Sequence, residues 1–514
     1  MVPDRSSKTF SRYFPSSFDK HGHSKFGLQI DMDFTGFRTW QTVRPNRQIL
    51  ILGRESYNNY KRPSVKYVKW ALIFLLIGIL AVTVVNYPKL NIISGYAAKN
   101  MASTVFIAGR QAISVVNEDH RIPLIELARA EVSPDKEAAS ARVFGLMERK
   151  AVCREGLGCV LLPKGMEEVP GSAPPNRYGG SESLMFPYGD RLPADTVFPE
   201  VDYKQLERAM AQAFANNDTQ RTRTVLIAYK NRVLAEKYVG GFNKDTPVLG
   251  WSMTKSVLAT LYGILEYQGK INLGQPAPFP DWKNDVRDGI TIDHLLRMQS
   301  GLEWEEDYST ISDVTRMLFM EADMAAVQMD KPAVAPPGEI WNYSSGTSNL
   351  LSGILRRQFR SEQEYIDFPY KALIDKTGMH SMMLETDVAG NFVGSSYGWA
   401  STRDWAKFGL LYLNEGNWNG EQLFDARWVS YVTHPTAHSN GRYGAHFWLN
   451  SGGFYPGVPK DLYSANGYQG QYVFIIPSLD MVIVRTGLAE PPDFDLNAFL
   501  EAVTAAISPS TSGE

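Results

Sequence analysis

The chain has 514 residues, 44% hydrophobic and 21% charged, enough to bury one large or two medium cores. A net charge of −3 offers no basic surface for nucleic acid. That charge is uneven: residues 1–69 hold 13 Lys/Arg against 5 Asp/Glu, leaving 39 against 50 for the rest.

Residues 1–67 are polar and aromatic without periodicity, which predicts a poorly ordered cytoplasmic tail. Residues 68–87 are expected to form a transmembrane helix. Trp70 to Tyr87 is uncharged throughout, near the lower length limit for crossing a bilayer. Arg54, Lys61, Arg62, Lys66 and Lys69 crowd its N-terminal side. The positive-inside rule then places the N-terminus in the cytoplasm and the bulk of the chain in the periplasm or outside the cell. A buried core helix would not need the basic flank. A cleaved signal peptide would have an unusually long leader, although a start at Met32 would shorten it.

Residues 88–200 are expected to be an extracytoplasmic N-terminal region and linker. Ala138 to Glu148 reads as either helix or strand. Cys153 and Cys159 are the only cysteines, and outside the cytoplasm they form either a disulfide or two buried thiols. No histidine stands beside them, which argues against zinc. Residues 163–200 are rich in Pro, Gly and Ser, as in an extended surface connection.

The pattern sharpens in residues 201–510, read as one hydrolase domain. Tyr203–Asn216 is amphipathic, and Thr224–Tyr229 with Val233–Val239 reads as a hairpin. A helix is expected from Ser252 to Gln268, stopped by Gly269. Residues 270–440 read as mostly helices and loops. Tyr443–Leu449, Gln471–Ile476 and Met481–Thr486 read as antiparallel strands, and Asp493–Ile507 as a closing helix. The fold class is therefore α+β: an antiparallel sheet from both ends of the domain, flanked by helices, with a mainly helical insertion.

Ser252 and Lys255 stand three apart, within reach on one face of a helix. A serine hydroxyl is a poor nucleophile until a base takes its proton. A lysine is that base only when burial lowers its pKa, and Trp251, Met253, Val257, Leu258 and Leu261 supply an apolar setting. Tyr343-Ser344-Ser345 adds a tyrosine able to share a proton with Lys255; the alternative is a half-buried tyrosine in a helix-initiating turn, with Ser345 as the expected cap. Ala465-Asn466-Gly467-Tyr468-Gln469-Gly470 leads into the strand Tyr472–Ile476, where a backbone N–H could serve an oxyanion. His294, His380, His434, His438 and His446 are scattered and read as structural or surface groups.

Ser-x-x-Lys, then Tyr-Ser-Ser, then a glycine-rich approach to a late strand resembles the β-lactamase and penicillin-binding-protein superfamily. Thr291–Leu302, Pro336-Pro337-Gly338 and Ser401–Gly409 resemble further family segments. The resemblance covers roughly residues 200–507 and is nearest to the branch of class C β-lactamases, family VIII esterases and 6-aminohexanoate-dimer hydrolases. It implies Ser252 as nucleophile, Lys255 as general base and Tyr343 as proton relay. Ser345 fills the position of Asn in the Tyr-x-Asn form. Gly467 and Tyr468 fall at the oxyanion and substrate strand, Tyr468 giving the second oxyanion N–H. Tyr308, in Trp304-Glu305-Glu306-Asp307-Tyr308, resembles a tyrosine that contacts the scissile amide. Ala465 departs from the family's Lys or His, which argues against a substrate anchored by a carboxylate.

The expected activity is hydrolysis of a small amide or ester, or of a peptide, through an acyl-enzyme, with no metal and no cofactor. A cell-wall D-amino-acid peptidase or transpeptidase, or a β-lactamase, is the enzymatic alternative. A non-catalytic penicillin-binding-like sensor is the other.

Overall fold

A computed structural model of the chain describes residues 65–507 apart from 170, 180–183 and 194–196. The tail expected over residues 1–67 lies outside the described residues up to residue 64, and the linker over 163–200 is described only in part. The first described element is α1 (Val65–Asn86). Its 22 residues span about 33 Å at 1.5 Å per residue, against about 30 Å of bilayer hydrocarbon.

A short turn of helix, Tyr87–Lys89, leads without a spacer into α2 (Leu90–Phe106). Helix α2 packs on a four-stranded antiparallel sheet of β1 (Ala128–Ser133), β2 (Ala138–Val143), β3 (Leu146–Arg154) and β4 (Gly158–Leu161). Small residues bring the layers together: Ser94, Gly95, Ala97, Ala98 and Ala102 on the helix, Ala139, Ala141 and Ala151 on the strands. The ambiguous stretch 138–148 is thus strand, broken by a turn at Phe144-Gly145. Cys153 and Cys159 pair across β3 and β4, their sulfurs joined at 1.96 Å.

The main sheet has six antiparallel strands and draws on both ends of the remaining chain. Helix α3 (Tyr203–Ala213) precedes β5 (Thr222–Tyr229) and β6 (Arg232–Tyr238). A short β7 (Val248–Leu249) then leads to α4 (Met253–Tyr267). The helical insertion includes α5 (Asp313–Met320) and α6 (Ser345–Arg356), then β8 (Met383–Leu384), β9 (Gly398–Ala400) and α7 (Thr402–Leu413). The chain returns through β10 (Trp448–Leu449), β11 (Tyr463–Gly467), β12 (Gln471–Ile476) and β13 (Met481–Gly487), and α8 (Leu496–Thr504) follows. The sheet order is β10-β11-β12-β13-β5-β6, while β7, β9 and β8 form a separate three-stranded sheet.

The central strands are apolar on both faces because helices cover both. Val225, Ile227, Phe474, Ile476 and Ile483 join Leu206, Met210, Phe499 and Leu500 of α3 and α8. Their alternates Leu226, Ala228, Val473, Ile475 and Val482 meet Val257, Phe408 and Leu411 of α4 and α7. The period of two in each strand delivers one set to each side. Gly409 lets α7 lie close, since a Cβ there would sit 2.6 Å from Val482 Cγ1.

Two expectations need correction. Tyr443–Leu449 is not a full strand: beyond an isolated bridge at Tyr443, only Trp448–Leu449 pairs. His446 there has φ +60, which breaks extended backbone. The helix expected over 493–507 is shorter, because Asp495 caps it by accepting from the Ala498 N–H.

Candidate active site

Between β7 and α4 the chain turns sharply. Trp251 takes φ +47, a conformation costing a non-glycine residue about 1–2 kcal/mol. The surroundings hold it there. The Thr254 hydroxyl donates to the Trp251 carbonyl at 2.7 Å and accepts from the Gly398 N–H at 2.9 Å. Gly467 of β11 packs directly on this turn, since a Cβ on it would lie 2.0 Å from the Gly250 carbonyl oxygen. Ser252 follows as the N-cap of α4, yet its hydroxyl makes no capping hydrogen bond. That oxygen faces Lys255 instead.

The Lys255 ammonium is buried, 1% exposed, and its Nζ has three neighbours at 2.9 Å: Ser252 Oγ, Ser345 Oγ and the Ser395 carbonyl oxygen. Burial pulls its pKa from 10.5 to about 8, against the opposing charge of Glu306. The Ser395 carbonyl can only accept. Ser345 gives its own proton to Glu306 Oε1 at 2.5 Å, so toward Lys255 it too can only accept. A neutral Lys255 therefore spends its two N–H groups on these partners. Its lone pair is left facing Ser252 Oγ.

The Tyr343 ring lies 4.9 Å from Lys255 Nζ. Burial and the Glu306 charge push its pKa well up, while a hydrogen bond with Ser252 acts the other way. Tyr343 is thus a protonated phenol at neutral pH. Its ring packs against Trp448 at 5.2 Å and Tyr443 at 5.8 Å. A second aromatic group flanks Ser252 through its neighbour Trp251. Tyr308 and Tyr468 stack at 4.7 Å with planes 13° apart, and both meet the Trp251 ring nearly edge-on. Trp251 in turn stacks on Tyr96 of α2 at 6.3 Å.

The fold brings Ser252, Lys255, Tyr343 and Ser345 together, with Tyr308 and Tyr468 beside them. One expectation about Ser345 is corrected: the cap of α6 is Ser344, which accepts from the Thr347 N–H at 2.9 Å and leaves Ser345 free to meet Lys255. The third motif also differs from its expected form. Ala465 to Gly467 lie within strand β11, and Tyr468 to Gly470 make the turn into β12. Glu490 holds that turn by accepting from the Gln469 N–H at 2.5 Å. Ala465 is fully buried.

The residue that sequence reasoning missed is Glu306. It receives the Ser345 N–H at 2.9 Å, the Ser345 hydroxyl, and the Trp304 indole N–H at 2.5 Å. In an acidic loop it reads as one more solvated carboxylate. The available signal was Trp304, whose burial turns the loop inward. Of the five histidines weighed in the sequence, His446 is buried. Its Nδ1 is 2.7 Å from the Leu296 carbonyl and Nε2 is 3.0 Å from Ser348 Oγ, and burial lowers its pKa to about 3.

The family model for beta-lactamase matches residues 208–506. The 6-aminohexanoate-dimer hydrolase of Paenarthrobacter ureafaciens is 25% identical over 329 residues, 59% of this chain and 82% of that one. A Bacillus anthracis structure provisionally named a 6-aminohexanoate-dimer hydrolase is 20% identical with TM-score 0.50, covering 56% of this chain and 80% of its own. A family VIII carboxylesterase structure is 15% identical with TM-score 0.45, covering 61% and 99%.

Proposed function

The chain belongs to the beta-lactamase family and is a serine hydrolase; on that premise we propose that it is membrane-anchored and cleaves an amide or ester through an acyl-enzyme on Ser252. The observation that carries this reading is the set of three contacts around Lys255 Nζ, which leaves a neutral lysine one direction for its lone pair. Neutral Lys255 takes the Ser252 proton as Oγ bonds to the carbonyl carbon. The N–H groups of Ser252 and Tyr468 stabilise the oxyanion. Tyr343 passes a proton to the departing nitrogen or oxygen as its bond to carbon breaks, and is reprotonated from Lys255. Water then attacks the ester on Ser252 by the same groups in reverse.

Glu306 serves as a positioning residue, holding Ser345 so that it accepts from Lys255. Tyr308 and Tyr468 bracket the scissile group. A buried Ala465 in place of a cationic or imidazole group favours a substrate without a carboxylate anchor. Helix α1 is read as the membrane span, with the N-terminus cytoplasmic, residues 88–200 just outside, and the hydrolase domain over 201–510. Its length and the basic residues before it support this, as does a disulfide suited to an oxidising compartment.

The test is labelling of the full chain with a fluorophosphonate, followed by mass spectrometry. An adduct on Ser252, lost together with ester and amide hydrolysis in Ser252→Ala, is the expected result. Undiminished hydrolysis by Ser252→Ala would sink the reading.

A further inference from the structure

The turn joining β2 and β3 is built against the ordinary rules for a turn in water. Val143 pairs with Leu146, so Phe144 and Gly145 form a two-residue hairpin loop, with φ +51 and +77. Both angles positive is the type I′ geometry, which strongly prefers Asn-Gly, Asp-Gly or Gly-Gly. Here the first position holds phenylalanine, 75% exposed, and Leu146 beside it is 48% exposed. A second strained apolar residue lies next to this turn. Leu124 has φ +73 and is 56% exposed, and Leu127 is 40% exposed. Because Ala128 pairs with Val143, Leu124 and Leu127 reach the same end of the sheet as Phe144. Four large apolar side chains thus share one edge.

That edge lies on the α1 side of the sheet. Leu161, which pairs with Ala151 of β3, lies against Gly95 of α2, where an added Cβ would sit 3.0 Å from Leu161 Cδ2. Cys153, two residues further along β3, lies beside the Ala102 carbonyl, seven residues further along α2. Helix α2 and strand β3 therefore run in the same direction. The start of β3 lies toward the start of α2. Leu146 stands five residues before Ala151, roughly 16 Å at 3.3 Å per residue. Leu90 stands five residues before Gly95, only about 8 Å at 1.5 Å per residue. The hairpin tip consequently reaches about 8 Å past Leu90, to the level of the last turn of α1. Arg129 and Arg142 face each other across β1 and β2 just behind this edge, both exposed, with Arg142 3.1 Å from Glu148. Like charges directly opposite are unfavourable in water, and lipid phosphates would relieve them.

We propose that Phe144, Leu146, Leu124 and Leu127 insert into the interfacial layer of the bilayer that α1 spans, giving the chain a second membrane contact. The proposal rests on reading α1 as a membrane span. Lipid supplies the apolar surroundings that justify phenylalanine in a turn suited to asparagine. The contact also fixes the catalytic domain, since α2 carries Tyr96 against Trp251, the residue before the nucleophile.

The test uses the full chain in lipid nanodiscs, with bimane on single introduced cysteines and brominated phosphatidylcholine as quencher. Phe144→Cys and Leu127→Cys are expected to lose emission in brominated lipid. Lys136→Cys, in the turn at the opposite end of the same sheet, is expected to lose none. Leu75→Cys reports on α1 itself. Quenching at 75 without quenching at 144 and 127 overturns the proposal and leaves the anchor standing. Quenching at 144 and 127 without quenching at 75 supports the surface contact and removes the span. Quenching at neither place removes both, and equal quenching at 136 overturns the proposed orientation.

Discussion

Glu306 and Ser345 are joined twice: the carboxylate accepts the Ser345 backbone N–H at 2.9 Å and its hydroxyl at 2.5 Å. The second bond sets the direction of the hydroxyl, and so decides that Ser345 accepts from Lys255. The charge on Glu306 also favours protonated Lys255. The two effects separate on substitution. Glu306→Gln keeps an acceptor and removes the charge, so the Lys255 pKa falls and the pH profile moves to lower pH, with a modest loss of rate. Glu306→Ala removes the acceptor as well. A hydrogen bond to a charged group contributes about 1.5–3 kcal/mol, so a loss of roughly 10- to 100-fold in kcat/KM is expected. Full pH profiles of both variants check this. Equal profiles for Gln and Ala would remove the orienting role.

In the unmodified chain, kcat/KM for an amide is expected to rise with pH through about 8 and then level off, because in the proposed mechanism only neutral Lys255 accepts the Ser252 proton. At pH 7 on the order of a tenth of the lysine is neutral. Stability has its own dependence on the same group. Between about 8 and 10.5 the unfolded chain holds a proton that the folded chain has lost, so the lysine's contribution to stability increases with pH across that window. Lys255→Arg stays charged at all accessible pH and is expected to lose 10²–10⁴-fold in rate, the usual range for a general base. A rate profile flat from pH 6 to 9 would exclude Lys255 as the base.

Tyr343→Phe is expected to separate amides from esters. An amine leaves only when protonated, whereas an alkoxide with an acidic conjugate alcohol leaves unaided. Amide hydrolysis should fall by about 10²–10⁴-fold, the usual worth of a general acid, and p-nitrophenyl ester hydrolysis by much less. Paired kcat values on an anilide and the matching ester measure the ratio. An unchanged ratio would assign Tyr343 to packing against Trp448 and Tyr443 alone.

How much of this was legible in the sequence depends on how local each feature is. Ser252 and Lys255 are three apart on one helix, so their proximity follows from helical geometry. Tyr343 belongs to them only through the fold, and its motif became readable by resemblance alone. Glu306 escaped because its role depends on Trp304 being buried, which no local pattern in an acidic loop announces. Residues 138–148 were ambiguous because Phe144 occupies the turn position where asparagine would have marked a hairpin. Strand β11 was read only as a glycine-rich approach to the next strand, since Ala465-Asn466-Gly467 lacks the β-branched residues of a typical strand. It pairs as a strand because the backbone there must lie against Gly250, which a side chain would prevent.

Helix α2 is tied to the segment around Glu385 by a buried ion pair. Lys99 of α2 lies 2.6 Å from Glu385, which is fully buried and also accepts from the Cys159 N–H at 2.9 Å and the Trp399 indole at 2.5 Å. Glu385→Ala would take the carboxylate from Lys99 and from three buried donors, the Ser103 hydroxyl, the Cys159 N–H and the Trp399 indole. Breaking one partner of such a pair costs about 3–5 kcal/mol. Lys99→Met leaves the carboxylate with the Ser103 hydroxyl, the Cys159 N–H and the Trp399 indole as donors and is expected to cost less. Urea unfolding of the full chain in detergent reads both values, and the order of the two variants is the point at issue. Equal destabilisation would mean that Lys99, rather than the donors around Glu385, carries the interaction.

Gly467→Ala tests whether the turn at the nucleophile is held from β11. The added Cβ would lie 2.0 Å from the Gly250 carbonyl oxygen, which is backbone and cannot rotate away. Relief requires β11 to move from the turn that presents Trp251 and Ser252. Overpacking of this kind costs about 1–3 kcal/mol in stability. The loss of activity should be larger than that figure implies, because the shift would displace both Ser252 and the Tyr468 N–H proposed to hold the oxyanion. Gly409→Ala offers the comparison, since its Cβ would meet the side chains of Val482 and Val473 rather than the backbone of the turn before Ser252. A similar loss of stability in both variants, with kcat lost only in Gly467→Ala, is the expected outcome. If folded Gly467→Ala kept full kcat, the close approach of β11 would be a packing feature without a part in catalysis.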